Sequence, residues 1–132
     1  MAGVRIELII RGICGLRPGV VGVSENIHVR SILGRFLEHT RVYYFENAGK
    51  PEVYAGSADL MQRNLFRRVE VVYPIESKPL RERVIKDLQH YLKDNTNSWI
   101  LRSDGEFERL NPGNVRPFSV QQYLLSELAD AS

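Results

Sequence analysis

The stretch HTRVYYFENAGKPEVYAGSAD, residues 39–59, reads as two extended segments folded back around one turn. Arg41–Glu46 is aromatic and β-branched, which suits a pleated, half-buried surface. Asn47–Pro51 gathers the residue types that reverse a chain, and Glu52–Ala55 returns as the second strand. Working outward toward the N-terminus, Leu33–Glu38 reads as a short helical piece and Ile27–Ile32 as an extended one. Gly12–Ser24 holds four glycines and Pro18 and reads as a loop. Val4–Arg11 (VRIELIIR) is β-branched and apolar enough to be a further strand.

Toward the C-terminus, Ser57–Asn64 suits a loop with one helical turn, and Arg68–Pro74 (RVEVVYP) alternates like a strand with one polar face. Leu80, Val84, Leu88 and Tyr91–Leu92 recur at helical spacing behind Ser77 and Pro79, a helix-start pair. Val120, Leu124, Leu125 and Leu128 repeat that period, with Ser119 placed to cap the helix. Between them, Trp99–Leu101 and Glu106–Leu110 flank Asp104-Gly105, a hairpin turn signal, and Asn111–Pro117 is a Pro/Gly loop. Strands come first and helices later. The expected class is α+β (mixed α/β), with a central mixed β-sheet flanked by helices.

At 132 residues the chain fits a single domain, residues 1–132. Its 43% apolar and 26% charged residues are those of a globular protein. No apolar run approaches the about 20 residues of a membrane helix. Cys14 is the only cysteine, which excludes an internal disulfide, argues against a cysteine metal site and points to a reducing cytoplasm, with the thiol used for packing. The net charge of +2 says little, but the bases are 14 Arg and 4 Lys. Arginine grips phosphate or carboxylate bidentately, whereas lysine is a point charge.

The chemistry concentrates in the opening stretch. His39-Thr40-Arg41 is followed by Glu46, and ten residues later by Gly56-Ser57-Ala58-Asp59. An imidazole can attack phosphorus or move a proton near neutral pH, and a guanidinium can hold phosphate oxygens. On a strand, His39 and Arg41 project to one face, and Glu46 faces the other way as an orienting acid. Arg63 and Arg67 are lesser candidates. His28 and His90 lack such neighbours and read as helix-end or surface residues. This skeleton resembles the H-x-K-x4-D and Gly-Ser motif of the phospholipase D superfamily, with Arg41, Glu46 and Asp59 standing where that family has Lys, Asp and Asn.

Longer words carry a closer resemblance. IELIIRGICGLRPGV, SENIHVRSILGRFLEHTRVYYFEN, VYAGSADLMQRN and RRVEVVYPI follow one another in order. Together they make Ile6–Ile75 resemble the final domain of the bacterial polyphosphate kinase family, whose last two domains have a phospholipase D-like fold. The resemblance implies that His39 is a catalytic residue and that Arg11 and Arg68 bind ATP phosphates. Arg41, Glu46, Ser57 and Arg67 would support them. At about 4 Å and an effective dielectric near 20, each such charge pair is worth roughly 4 kcal/mol before desolvation.

The resemblance also implies a piece of a longer polypeptide with an artificial start at Met1-Ala2-Gly3. The phosphorylated histidine, and with it the nucleophile, would lie in a preceding domain, so the isolated chain is expected to be inactive. Expected partners are ATP/ADP, inorganic polyphosphate, the upstream domains and further copies in a homo-oligomer. Mg²⁺ is expected with ATP, no metal ligand is assigned here, and no nucleic acid or transmembrane segment is expected. The expected place is the cytoplasm, with the inner-membrane surface as an alternative for the whole enzyme. Two other readings stay open from the residues: a stand-alone, homodimeric phospholipase D-type phosphodiesterase, and a non-enzymatic polyanion-binding module.

Overall fold

The computed structural model describes residues 3–130, with seven strands and three α-helices. The chain divides into two compact units, one of residues 3–36 and 90–130, the other Leu37–Gln89.

In the first unit, β1 (Ile6–Ile9), β2 (Ile27–Ile32), β6 (Ser98–Leu101) and β7 (Phe107–Arg109) form a sheet in the order β1-β2-β6-β7. β1 and β2 run parallel, and the other pairs are antiparallel, so this is the expected mixed sheet. The β6–β7 hairpin turns at Asp104-Gly105 as anticipated, with Gly105 at φ +97°. The long loop before β2 is pinned by Ser24, whose hydroxyl donates to the Arg17 carbonyl at 2.6 Å and accepts from Val20 N at 3.1 Å. Val29, Ile32, Leu101 and Val120 form the buried apolar core.

α3 spans Val120–Ala129, and Ser119 stands at its N-cap without a side-chain capping bond. The cap comes from Asp94 instead, 1% exposed, whose Oδ2 accepts from Val120 N at 2.9 Å. Oδ1 of the same carboxylate accepts from Thr96 N at 3.1 Å and Asn97 N at 2.8 Å. One carboxylate thus satisfies the first turn of a helix and the approach to a strand, donors that would otherwise stay unpaired. Ser119 is engaged elsewhere, accepting from Asn97 Nδ2 at 3.1 Å.

No helix forms over Leu33–Glu38, contrary to expectation. The side-chain amide of Gln121 accepts from Phe36 N at 3.0 Å and donates to Phe36 O at 2.9 Å, occupying backbone groups a helix would use. Gly34 permits this approach, since a Cβ there would fall 2.2 Å from Gln121 Oε1.

In the second unit, β3 (Arg41–Phe45), β4 (Glu52–Gly56) and β5 (Val72–Pro74) form a separate antiparallel sheet in that order. A one-turn 3₁₀ segment, Asn47–Gly49, reverses the chain between β3 and β4. Val53 and Ala58 are the buried apolar residues of this unit. The short α1, Gln62–Arg67, supplies the expected helical turn, starting later than Ser57. The strand expected over Arg68–Pro74 is cut to three residues. Its first half leaves the ladder because Glu70 turns to receive side-chain donors from Ser57 and Asn64. α2, Lys78–Lys93, carries the boundary between the units, which falls after Gln89.

Candidate functional site

The sheet of the second unit sets the site. Antiparallel register places Arg41 opposite Gly56, so residues just before β3 and just after β4 lie together. They line a solvent-open cavity of about 370 Å³, with His39, Thr40 and Arg41 on one strand approach and Gly56 and Ser57 on the other. Tyr73 and Val71 complete the wall. Gly56 is needed there: a Cβ would sit 2.4 Å from the backbone oxygen of Val71.

His39 lies ahead of β3 rather than on it and is exposed. Arg41 connects the two candidates, since its Nη1 donates to the His39 carbonyl at 2.5 Å. The same guanidinium meets Asp59, with Nε to Oδ1 at 3.0 Å and Nη2 to Oδ2 at 3.5 Å. The hydrogen bond from Arg41 pulls the Asp59 carboxyl below its ordinary value, against some burial, with Arg63 and Arg68 adding to the pull.

Beside it stands a second carboxylate. Glu70 accepts from the Ser57 hydroxyl at 2.6 Å and from Asn64 Nδ2 at 2.9 Å. The Ser57 hydrogen bond is the first cause of its lowered pKa; partial desolvation opposes it, and Asn64 and Arg68 act in the same direction as Ser57. Asn64 is 4% exposed, so this carboxylate rests on a fixed amide. Arg68 is largely exposed, 3.9 Å from Glu70. Tyr43 anchors the connecting loop by donating to Ala58 O at 2.6 Å, and its phenol pKa is raised chiefly by desolvation.

His39, Arg41 and Ser57 therefore share one cavity, and Arg68 reaches the same carboxylates. Glu46 does not line it; it is exposed at the far end of β3, at the turn. Arg67 is exposed in the last turn of α1. Arg11 belongs to the other compact unit, just after β1, and is exposed. Asn64 and Glu70 escaped the sequence reading, although Ser57-x6-Asn64-x5-Glu70 was available as a spacing of one hydroxyl, one amide and one acid. His90 stands in the last turn of α2, and its ring lies 4.2 Å from that of Tyr123 and 5.9 Å from that of Phe118, centroid to centroid, so this helix-end histidine is packed against two aromatic rings. Among the described residues, no three of His, Cys, Asp or Glu cluster to hold a metal ion. No helix among the described residues is long and apolar enough to cross a membrane.

The arrangement offers an accessible imidazole, a rigidly held guanidinium beside it, further arginines, and two ionised carboxylates that hold the framework. This set can transfer protons and stabilise a phosphoryl group.

The family model described as "Polyphosphate kinase C-terminal domain 2" matches residues 1–121. The chain is 57% identical over 129 residues to a polyphosphate kinase of Pseudomonas aeruginosa, covering 97% of this chain and 19% of that one. It is 56% identical over 129 residues to one from Xylella fastidiosa, covering 96% and 18%. The crystal structure of polyphosphate kinase from Porphyromonas gingivalis matches with a TM-score of 0.92 at 36% identity, over 98% of this chain and 20% of that chain. The chain spans about a fifth of the length of these relatives.

Proposed function

This chain belongs to the polyphosphate kinase C-terminal domain family, and from that premise we propose that it supplies one wall of an ATP:polyphosphate phosphotransferase site. The reaction is the reversible transfer of the ATP γ-phosphate, delivered as the Mg²⁺ complex, to inorganic polyphosphate. A histidine in another domain of the whole polypeptide attacks the γ-phosphorus. The bond to the β-phosphate oxygen breaks, and ADP leaves. A terminal oxygen of the polyphosphate chain then takes the phosphoryl group from the phosphohistidine.

His39 assists by moving a proton or orienting the phosphate. Arg11 and Arg68 stabilise charge on the transferred group, and Arg67 adds positive field. Arg41, Ser57 and Glu70 hold the wall in shape. The observation that carries this reading is the shared cavity of His39, Arg41 and Ser57, with Arg68 placed near the carboxylates behind it. Neither carboxylate is free to act as a base: Asp59 is paired with Arg41, and Glu70 accepts two side-chain donors. Histidine is then the residue left to handle protons near neutral pH.

The test is His39→Ala and Arg68→Ala in the full-length enzyme. Loss of an acid–base histidine should lower polyphosphate synthesis by about 10²–10⁴-fold. Loss of one electrostatic donor should cost about 2.7–4 kcal/mol of transition-state stabilisation. Near wild-type synthesis by both variants would refute the assignment. Phosphodiester hydrolysis by the chain on its own would favour a phospholipase D-type activity instead.

A further inference from the structure

His39 is held less firmly than its proposed work requires. Residues 33–40 belong to no helix or strand after Ile32, and β3 starts only at Arg41. Among the described residues, the imidazole makes no hydrogen bond. The bond that reaches this residue is the one from Arg41 Nη1 to its backbone carbonyl. A group that must meet a phosphoryl oxygen within a fraction of an ångström needs a tighter frame.

Arg41 is itself fixed from behind. Its Nε and Nη2 are turned to the two oxygens of Asp59, a side-on pairing that sets the plane of the guanidinium. Asp59 is in turn carried by an anchored loop. Ala58, its neighbour, is 4% exposed, and the Ala58 carbonyl accepts the Tyr43 hydroxyl at 2.6 Å. The Asp59 carbonyl accepts from Met61 N at 2.8 Å, which leads into α1. Rigidity thus passes from the sheet and α1 through Asp59 and Arg41 to the backbone of His39. All three nitrogens of Arg41 are engaged in this relay, so its guanidinium is already committed before any phosphate arrives.

We infer that Asp59 is a positioning residue, which through Arg41 fixes the backbone of His39 at the edge of the cavity. This rests on the reading of His39 as a functional residue of the phosphotransferase. Asp59 itself does not touch substrate. Its removal should therefore loosen the geometry of the reaction without removing a phosphate ligand. A lysine at position 41 could not replace the arginine, because a single ammonium cannot reach both Asp59 oxygens and the His39 carbonyl.

The experiment measures kcat and KM for polyphosphate synthesis by full-length enzyme carrying Asp59→Asn, Asp59→Glu, Arg41→Lys, Arg41→Ala, the Asp59→Asn/Arg41→Ala pair, and His39→Ala. Asp59→Asn should lower kcat by about 10–100-fold, the scale for a misplacement near 1 Å, with KM for polyphosphate unchanged within about twofold. Asp59→Glu should recover part of the loss, since it keeps the charge, and Arg41→Lys should recover none of the loss seen in Arg41→Ala. The pair should be no slower than Arg41→Ala alone, because both residues act through one relay. Wild-type kcat in Asp59→Asn beside an inactive His39→Ala overturns this inference alone. So does an additive loss in the pair, or a loss expressed in KM. Should Asp59→Asn fail to fold, the comparison of Arg41→Lys with Arg41→Ala decides by the same kcat criterion. A near wild-type His39→Ala overturns the functional reading, and this inference with it.

Discussion

Replacing Asp94 by alanine should be among the most damaging single changes in the first unit. The carboxylate is 1% exposed and accepts three backbone N–H groups, from Thr96, Asn97 and Val120, at 2.8–3.1 Å. It also lies 3.3 Å from the Ser98 hydroxyl, but Ser98 keeps its shorter bond to the Asp94 backbone carbonyl. Alanine therefore leaves three backbone donors without an acceptor. Val120 is 0% exposed, so water cannot reach its amide, and the full penalty of about 1–3 kcal/mol applies there. Thr96 and Asn97 are half-buried and recover part of theirs from water. Relief of the buried carboxylate's own desolvation offsets some of the sum. The expected loss is about 3–4 kcal/mol, or a fall of roughly 10–15 °C in Tm for a domain of this size. Urea unfolding followed by Trp99 fluorescence reads it, because Trp99 lies in β6 between Ser31 and Arg109. Asp87→Ala is the control. It removes an i,i+4 pair with Arg83 on the surface of α2 and should cost only about 0.3–0.5 kcal/mol. A loss below about 1 kcal/mol for Asp94→Ala, or one equal to the control, would refute the view that this carboxylate holds β6 and α3.

Three further outcomes follow from the second unit. Gly56→Ala pushes a Cβ to 2.4 Å from the Val71 backbone oxygen, and because backbone cannot swing aside it should destabilise the unit by about 1–3 kcal/mol and lower activity with it, readable by urea titration and assay of the full-length enzyme. Ala48→Gly should raise stability by about 0.5–1 kcal/mol, since Ala48 sits at φ +51°, a conformation costing an L-residue about 1–2 kcal/mol, less the extra freedom glycine has when unfolded. Asp59 and Glu70 both have folded-state pKa values below their ordinary ones, so their contribution is complete above the unfolded values near pH 4 and is lost as pH falls through the lower folded values. Stability should therefore fall more steeply between about pH 4 and pH 2 in the native chain than in Asp59→Asn/Glu70→Gln, measured as unfolding free energy against pH.

Several elements were legible from the residues, β2 among them although it pairs with the distant β1 and β6. β2 matches its expected span residue for residue, β3 and β4 follow the turn at Asn47–Pro51, and the β6–β7 hairpin follows Asp104-Gly105. α2 and α3 begin where their start signals stand. Two of the failures are places where a distant side chain takes a backbone group. Phe36 gives its amide to Gln121, 85 residues on, and the helix over Leu33–Glu38 does not form. Val120 gives its N–H to Asp94, 26 residues back, and Ser119 does not cap. Nothing in the periodicity of either segment carries that information, because a period reports which face is apolar and not which polar partner arrives from elsewhere.

The candidate site was half legible for the same reason, and the missing half can be derived. The spacing of His39 and Arg41 brings two functional groups to one face wherever the chain is extended. The acid is another matter. Glu46 stands five residues after Arg41, and a strand advances about 3.4 Å per residue, so its carboxylate lies roughly 17 Å along β3 from the guanidinium it might orient. An acid that reaches Arg41 must come from across the sheet. The turn at Asn47–Pro51 fixes the register, and that register puts Gly56 opposite Arg41. The partner must then follow Gly56 within a few residues, where Asp59 is the first acid. Glu70, brought back by α1, receives the Ser57 hydroxyl that points from the same loop. A strand spacing thus names the reactive pair, but the hairpin register chooses the acid behind it, and reading the turn before the motif would have replaced Glu46 by Asp59.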